Sequence, residues 1–288
     1  MLPNQVESYF HDFVGSLSGL SKWTIVGYSK AVCRFLRLHH ITTPEGISRD
    51  LITLHIIEMR DKKLSEGYII YQLWAIRKFT RFLNDKGALS YIWDVSIPIA
   101  PEPDMVEYME QEELEKLVAT IDVSDIHGLR LRTFIEVMLN TGLRPSETLY
   151  LNKADIERNE LEITSKGKTR KVYLNERACR WIGKYLHKRY DEHPALFVTH
   201  CRANRLSLRH AETTFKQALA DADIKKRIRL HDLRHTYGTN LLIHGCPIDY
   251  VAVLMGHSKI ETTRRHYLAV RQKHAKEAHF KYLDYKKY

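Results

Sequence analysis

Pro98, Pro101 and Pro103 fall within six residues of the stretch Ile97-Pro98-Ile99-Ala100-Pro101-Glu102-Pro103-Asp104. So many fixed φ angles and missing N–H donors forbid a helix there and favour extended chain. On both sides apolar residues recur at helical spacing, so the chain reads as two mainly helical modules joined by a linker. Its 288 residues leave room for two cores, since domains commonly run about 100–200 residues. The expected division is a small helical domain over 1–90, a linker over 91–107 and a larger domain over 108–288.

In the first module apolar residues recur from Val6 to Leu38, with an N-cap signal at Ser21-Lys22-Trp23-Thr24 ahead of Ile25, Tyr28, Val32, Phe35 and Leu36. This reads as one amphipathic helix facing a core. Leu51, Leu54, Ile57 and Met59 mark a second helix, and Ile69, Leu73, Ile76, Phe79 and Leu83 a third, stopped at Asn84-Asp85-Lys86-Gly87. In the second module, helices are expected over Glu110 to Ile121 and Leu129 to Asn140, the latter closed by Thr141-Gly142, where a third begins. Leu161-Glu162-Ile163-Thr164 and Lys171-Val172-Tyr173-Leu174 alternate apolar and polar residues around a basic segment, Ser165 to Arg170. That pattern predicts a β-hairpin with a basic tip. Beyond Arg177 the pattern is helical again, apart from a short apolar stretch at Ala195 to Val198. The expected class is mainly α with a small β-sheet.

The formal charge of +10 points to a polyanionic partner. From Asp221 to Tyr288 there are 14 Lys and Arg against 7 Asp and Glu, so the last quarter holds most of the surplus. Solvated surface lysines would give the same count; a nucleic-acid face needs the charges to lie together. Cys33, Cys179, Cys201 and Cys246 contain no C-x-x-C pair, which argues against a disulfide framework or zinc ribbon and for reduced packing thiols. The first residues turn polar and acidic too early for a secretory signal, and no apolar run approaches a membrane span. A cytoplasmic location is expected.

Four short stretches set a cation or proton-transfer group beside a structure breaker. Thr141 to Glu147, T-G-L-R-P-S-E, puts Arg144 at a helix start with Glu147 one turn on, either to orient the guanidinium or as a surface i,i+3 pair. His231 to His235, H-D-L-R-H, places His231 and Arg234 on one helix face. A zinc pair from His231 and His235 is disfavoured, because Asp232 stands where H-E-x-x-H needs Glu and no third ligand is evident. Leu254 to Ser258, L-M-G-H-S, leaves His257 just past a helix end, and Thr262 to Tyr267, T-T-R-R-H-Y, puts a tyrosine in a basic helix. Two arginines, a lysine on the hairpin, two histidines and a tyrosine are together the parts for phosphoryl transfer through an enzyme phosphotyrosine.

In this order and with these gaps, the four motifs resemble the tyrosine recombinase (phage integrase) family, most nearly its Xer-like or simple mobile-element members. The likeness extends to the N-terminal module, through Thr24-Ile25 with Tyr28 and Phe35 and the helix from Ala75 to Leu83. The resemblance implies a helical core-binding domain followed by an α+β catalytic domain, and a site-specific recombinase that cleaves and rejoins DNA through a 3′-phosphotyrosyl intermediate. It assigns Tyr267 as nucleophile, Arg144 and Arg234 as the arginine pair, His231 and His257 as the histidine positions and Glu147 as the acidic support. Lys166 falls on the hairpin lysine, with Lys168 its rival. Some Xer-like members carry the tyrosine one residue nearer the second histidine, where this chain has His266.

The resemblance also implies a mechanism. Arginines clamp the non-bridging oxygens as bidentate, permanently charged donors, His231 takes the Tyr267 proton, Lys166 protonates the leaving 5′-oxygen and His257 bonds a phosphate oxygen. Neither cofactor nor metal is expected. The partners implied are double-stranded DNA and three further copies of the chain on paired sites, with the tail from Leu268 to Tyr288 docking on a neighbour or within its own subunit. The short N-terminal region suggests no arm-site module. Two other readings remain at this point: a type IB topoisomerase-like nicking-closing enzyme, and a DNA-binding protein without catalysis.

Overall fold

The computed structural model describes residues 4–91, 107–156, 159–165, 167–200 and 203–256. The proline segment, Lys166, Cys201, His257, Tyr267 and the tail lie outside the described residues. The chain divides into two compact units, Met1–Glu102 and Pro103–Tyr288. Each has its own apolar core.

The N-terminal unit holds α1 (Asn4–Ser16), α2 (Lys22–Leu38), α3 (Arg49–Asp61) and α4 (Glu66–Asp85). The apolar run from Val6 to Leu38 is therefore two helices rather than one, because the chain tightens at Leu17 and Ser18 into i→i−3 bonds to Val14 and Gly15 before Ser21 restarts it. The Ser21 hydroxyl accepts from the Thr24 amide at 3.2 Å, and Ser48 and Ser65 cap α3 and α4 in the same way. The expected face of α4 is all inward: Ile69, Leu73, Ile76, Phe79 and Leu83 are buried, and Phe13 meets Phe79 edge-on at 5.1 Å. On α3 the expected face is wrong in part. Leu54 and Ile57 are about half exposed, whereas Ile52, His55 and Met59 turn inward. Burial holds the imidazole of His55 at a pKa of about 4, helped by the neighbouring His39, and lowers that of His39.

The C-terminal unit is built around α6 (Ile126–Thr141), preceded by α5 (Gln111–Thr120) and followed by α7 (Pro145–Tyr150). From Leu129 to Met138 α6 is buried on nearly every side except at Leu131, as expected of a helix with other elements all round it. Next come the hairpin strands β1 (Glu160–Ser165) and β2 (Lys168–Tyr173), then α8 (Glu176–His187), α9 (Leu208–Asp221), α10 (Asp232–Ile243) and α11 (Ile248–Met255). Ala195 to Val198 is fully buried and joins the chain by single bridges, Asn152 with Ala195 and Val198 with Arg205. The strands pair antiparallel from Glu160 with Tyr173 to Ser165 with Lys168. The basic tip expected over Ser165 to Arg170 is thus shorter, and Lys168 to Arg170 belong to β2. Among the described residues no helix is long and apolar enough to cross a membrane, and Cys33, Cys179 and Cys246 are free thiols.

Candidate active site

The turn after α6 sets the first side chains. Gly142 closes that helix in the left-handed region at φ +62, and a Cβ there would fall 2.3 Å from the Tyr237 ring. Two independent demands therefore exclude a side chain. The chain leaves extended at Arg144, and Pro145 opens α7 at the position where a missing N–H costs nothing. Glu147, one turn in, reaches back: its Oε2 accepts from the Arg144 amide at 2.9 Å and its Oε1 from the Arg144 guanidinium at 2.7 Å. One carboxylate thus caps the helix and aims the arginine.

Sequence reading left open whether this pair is a solvated surface contact. It is not, since the Glu147 side chain is only 10% exposed. A second cation shares it. Arg170 donates to Glu147 through Nη2 at 2.7 Å and Nη1 at 3.3 Å. Burial pushes the Glu147 pKa up, but the hydrogen bonds and charge of Arg170, with the Arg144 amide and guanidinium, outweigh it and bring the pKa to about 2. Arg170 was not singled out by the sequence reading. The signal was available: Arg170 lies opposite Ile163, and Val172 two residues on is buried opposite Leu161, so period-two alternation puts Arg170 on the inward face of the hairpin.

Arg170 also touches the end of α11. A Cβ at Gly256, the left-handed cap of that helix at φ +63, would lie 2.6 Å from its Cδ. Arg234, 1% exposed, works on the same seam: Nη1 donates to the Gly142 carbonyl at 2.6 Å and Nη2 to the Met255 carbonyl. Leu233, beside it in the chain, packs inward at 0% exposure. Arg234 thus ties the C-terminal ends of α6 and α11 together, with Arg170 packed beside the second, and His257 is the residue after Gly256.

His231 precedes α10. The buried Asp232 carboxylate fixes this bend, accepting from the Arg229 amide at 2.7 Å and from its guanidinium at 3.1 Å. Burial lowers the His231 pKa, and the charges of Arg234, Arg144 and Arg229 lower it further against the opposing pull of Asp232. The lowered pKa favours the neutral imidazole, the form able to accept a proton. Its ring meets His235 edge-on at 5.0 Å. Arg144 and His231 both line a cavity of about 720 Å³, together with Phe215, Leu219, Lys226 and Arg229. The structure so gathers Arg144, Glu147, Arg234 and His231. Lys168 stands exposed at the start of β2, across from Ser165.

This geometry suits a site that binds an anionic centre and moves a proton beside it, and comparison with known proteins identifies the family. Residues 107–274 match the phage integrase family. The chain is 28% identical to the tyrosine recombinase XerC of Chlamydia caviae over 96% of this chain and 92% of that one. It is 30% identical to the tyrosine recombinase XerD of Oceanobacillus iheyensis over 92% and 93%. Its fold is similar to that of the XerH site-specific recombinase bound to a palindromic difH substrate, with a TM-score of 0.74 at 20% identity over 88% of this chain and 79% of that one.

The chain belongs to the phage integrase family. It is a tyrosine-type site-specific recombinase, and the nicking-closing and catalytically silent readings are not favoured by these relatives.

Proposed function

We propose that this recombinase acts on double-stranded DNA through the residues its motifs single out, by an in-line exchange at phosphorus. The Tyr267 hydroxyl attacks a backbone phosphate; the bond from Tyr267 oxygen to phosphorus forms as the bond to the 5′-oxygen breaks. The tyrosine proton passes to His231, and Lys166 protonates the departing 5′-oxygen. Arg144 and Arg234 hold the non-bridging oxygens, where negative charge accumulates in the transition state. His257 donates to one of those oxygens, and Glu147 keeps Arg144 in place. The phosphotyrosyl link conserves the bond energy, so attack by another strand's 5′-hydroxyl rejoins DNA without a cofactor.

The observation that carries this reading is that His231 and Arg144 line one cavity, with the Arg144 guanidinium anchored by a buried carboxylate and burial and neighbouring cations favouring the neutral form of His231. A neutral imidazole among cations is a base that still faces an anion site. DNA as partner is further supported by the DNA complex of XerH and by the charge of +10. In the proposed division of labour, residues 1–90 grip the duplex as a core-binding domain, 91–107 link, and 108–288 catalyse. Four copies on paired sites exchange strands, the tail from Leu268 docking on a neighbour.

The test uses nicked duplexes, selected from a random-sequence pool by binding to the protein and run on a denaturing gel. The wild type is expected to form a covalent protein–DNA adduct that Tyr267→Phe does not form. An adduct surviving in Tyr267→Phe reassigns the nucleophile. No wild-type adduct on any selected duplex removes the proposal that this chain cleaves alone.

A further inference from the structure

The N-terminal unit contains a cluster that strand transfer does not use. His39 is the C-cap of α2, and His55 and Glu58 lie three apart on one face of α3. His39 Nε2 lies 2.9 Å from His55 Nδ1 and 4.0 Å from Glu58 Oε2. One donor atom from each of the three lies within 4.8 Å of the other two. We propose that His39, His55 and Glu58 bind a divalent transition-metal ion of the zinc type, which fastens the end of α2 to α3.

Metal–ligand bonds of about 2.0–2.1 Å in a tetrahedron set donor atoms ~3.3 Å apart. The His39–His55 distance lies below that value and the His39–Glu58 distance above it, so a side-chain adjustment, largest at the partly exposed Glu58, closes the site. His55 is 2% exposed, and Nδ1 is the nitrogen it turns towards His39. Phe35 packs against both imidazoles, with ring centroids 5.3 Å from His39 and 5.1 Å from His55, which shields the pair from water on that side. Glu58 keeps 36% of its side chain exposed and marks the open side, where an ion enters and a water completes the coordination.

The donor set selects the ion. Two nitrogens and one carboxylate suit zinc, whereas magnesium and calcium need mostly oxygen. Lys62 and Arg34 add positive charge nearby. That charge repels an ion held by electrostatics alone, and leaves directed nitrogen bonds with the Glu58 charge as the means of holding one. The site is structural. It shares no residue with the strand-transfer site, and the inference does not rest on the function proposed above.

Full-length, tag-free protein stripped with a chelator is dialysed against zinc alone, and bound zinc and melting temperature are measured. One zinc per chain is expected, with a rise in Tm. Glu58→Gln, a substitution at a partly exposed position, should weaken zinc uptake at least about tenfold. His39→Asn should abolish it while leaving the helical circular dichroism of the metal-free protein intact. No zinc-dependent rise in Tm, or equal affinity in wild type and both variants, overturns the proposal and assigns any bound zinc to other histidines among the chain's 16. Should His39→Asn not fold, Glu58→Gln decides alone.

Discussion

Glu147 is a carboxylate held ionised between two guanidinium groups, and its stability has a pH signature. Its pKa falls from an ordinary 4.5 to about 2, so the native state gains roughly 3 kcal/mol from it at neutral pH. A lowered carboxylate pKa stabilises fully above about pH 4.5, and the gain is lost as pH falls towards 2. Urea unfolding should therefore show wild type well above Glu147→Gln in stability at pH 7, with the gap narrowing below pH 4.5; a gap independent of pH would contradict the ion pairs. Arg170 is the second partner. Arg170→Ala strands a buried carboxylate with one cation fewer and should destabilise by about 3 kcal/mol. Because Arg170 acts through Glu147 on Arg144, adduct formation in folded protein should slow by ~10–100-fold while duplex affinity stays within about twofold, and Arg170→Lys should recover stability better than rate. A merely structural Arg170 would change stability alone. The T-G-L-R-P-S-E motif made Arg144 and Glu147 legible in the sequence. Arg170 was hidden because it was counted into a loose loop, and only strand register shows which hairpin cations face inward.

Elements carry the site through their ends. The terminus of α6 offers the Gly142 carbonyl and that of α11 the Met255 carbonyl to the same Arg234 guanidinium, so the seam depends on both helices stopping where they do. Gly142→Ala puts a Cβ into the Tyr237 ring at a left-handed position. Strain of about 1–2 kcal/mol and overpacking of about 1–3 kcal/mol together predict a loss of ~2–5 kcal/mol by urea denaturation. A loss below 1 kcal/mol would mean that Tyr237 moves aside freely. Helix stops of this kind were readable, since Gly87, Gly142 and Gly256 all take positive φ at expected ends. Helix faces were less so. The α3 sequence offers Leu54 and Ile57 as apolar residues, yet Ile52, His55 and Met59 are the ones inside, because an imidazole beside His39 and Phe35 takes a core position and composition does not record such partners. The break between α1 and α2 was hidden for a related reason: apolar periodicity continues across a turn whenever both helices face the same core.

At the scale of the molecule, two cores share no residue, one running from Val6 to Leu89 and the other from Met109 to Leu233. Residues 1–91 made alone should therefore keep their helical circular dichroism and unfold cooperatively; a disordered fragment would show that its core needs the rest of the chain. The periodic runs on either side of the proline stretch made this partition legible, because each supplies enough large apolar residues for a core of its own. Charge is the property that belongs to no single element. The surplus of +10 favours an anionic partner, and a duplex releases condensed counterions for each phosphate that Lys or Arg neutralises. Log affinity should then fall linearly with log salt, by about 0.9 for each phosphate contact. Neutralising about six phosphates would make affinity drop ~10³-fold between 50 and 200 mM salt. Fluorescence anisotropy on a labelled duplex measures the slope. A shallow slope shared by random and selected duplexes would place most of the surplus charge away from the DNA, while a steep slope on both, with a constant affinity ratio between them, assigns the phosphates to affinity and the bases to choice of site.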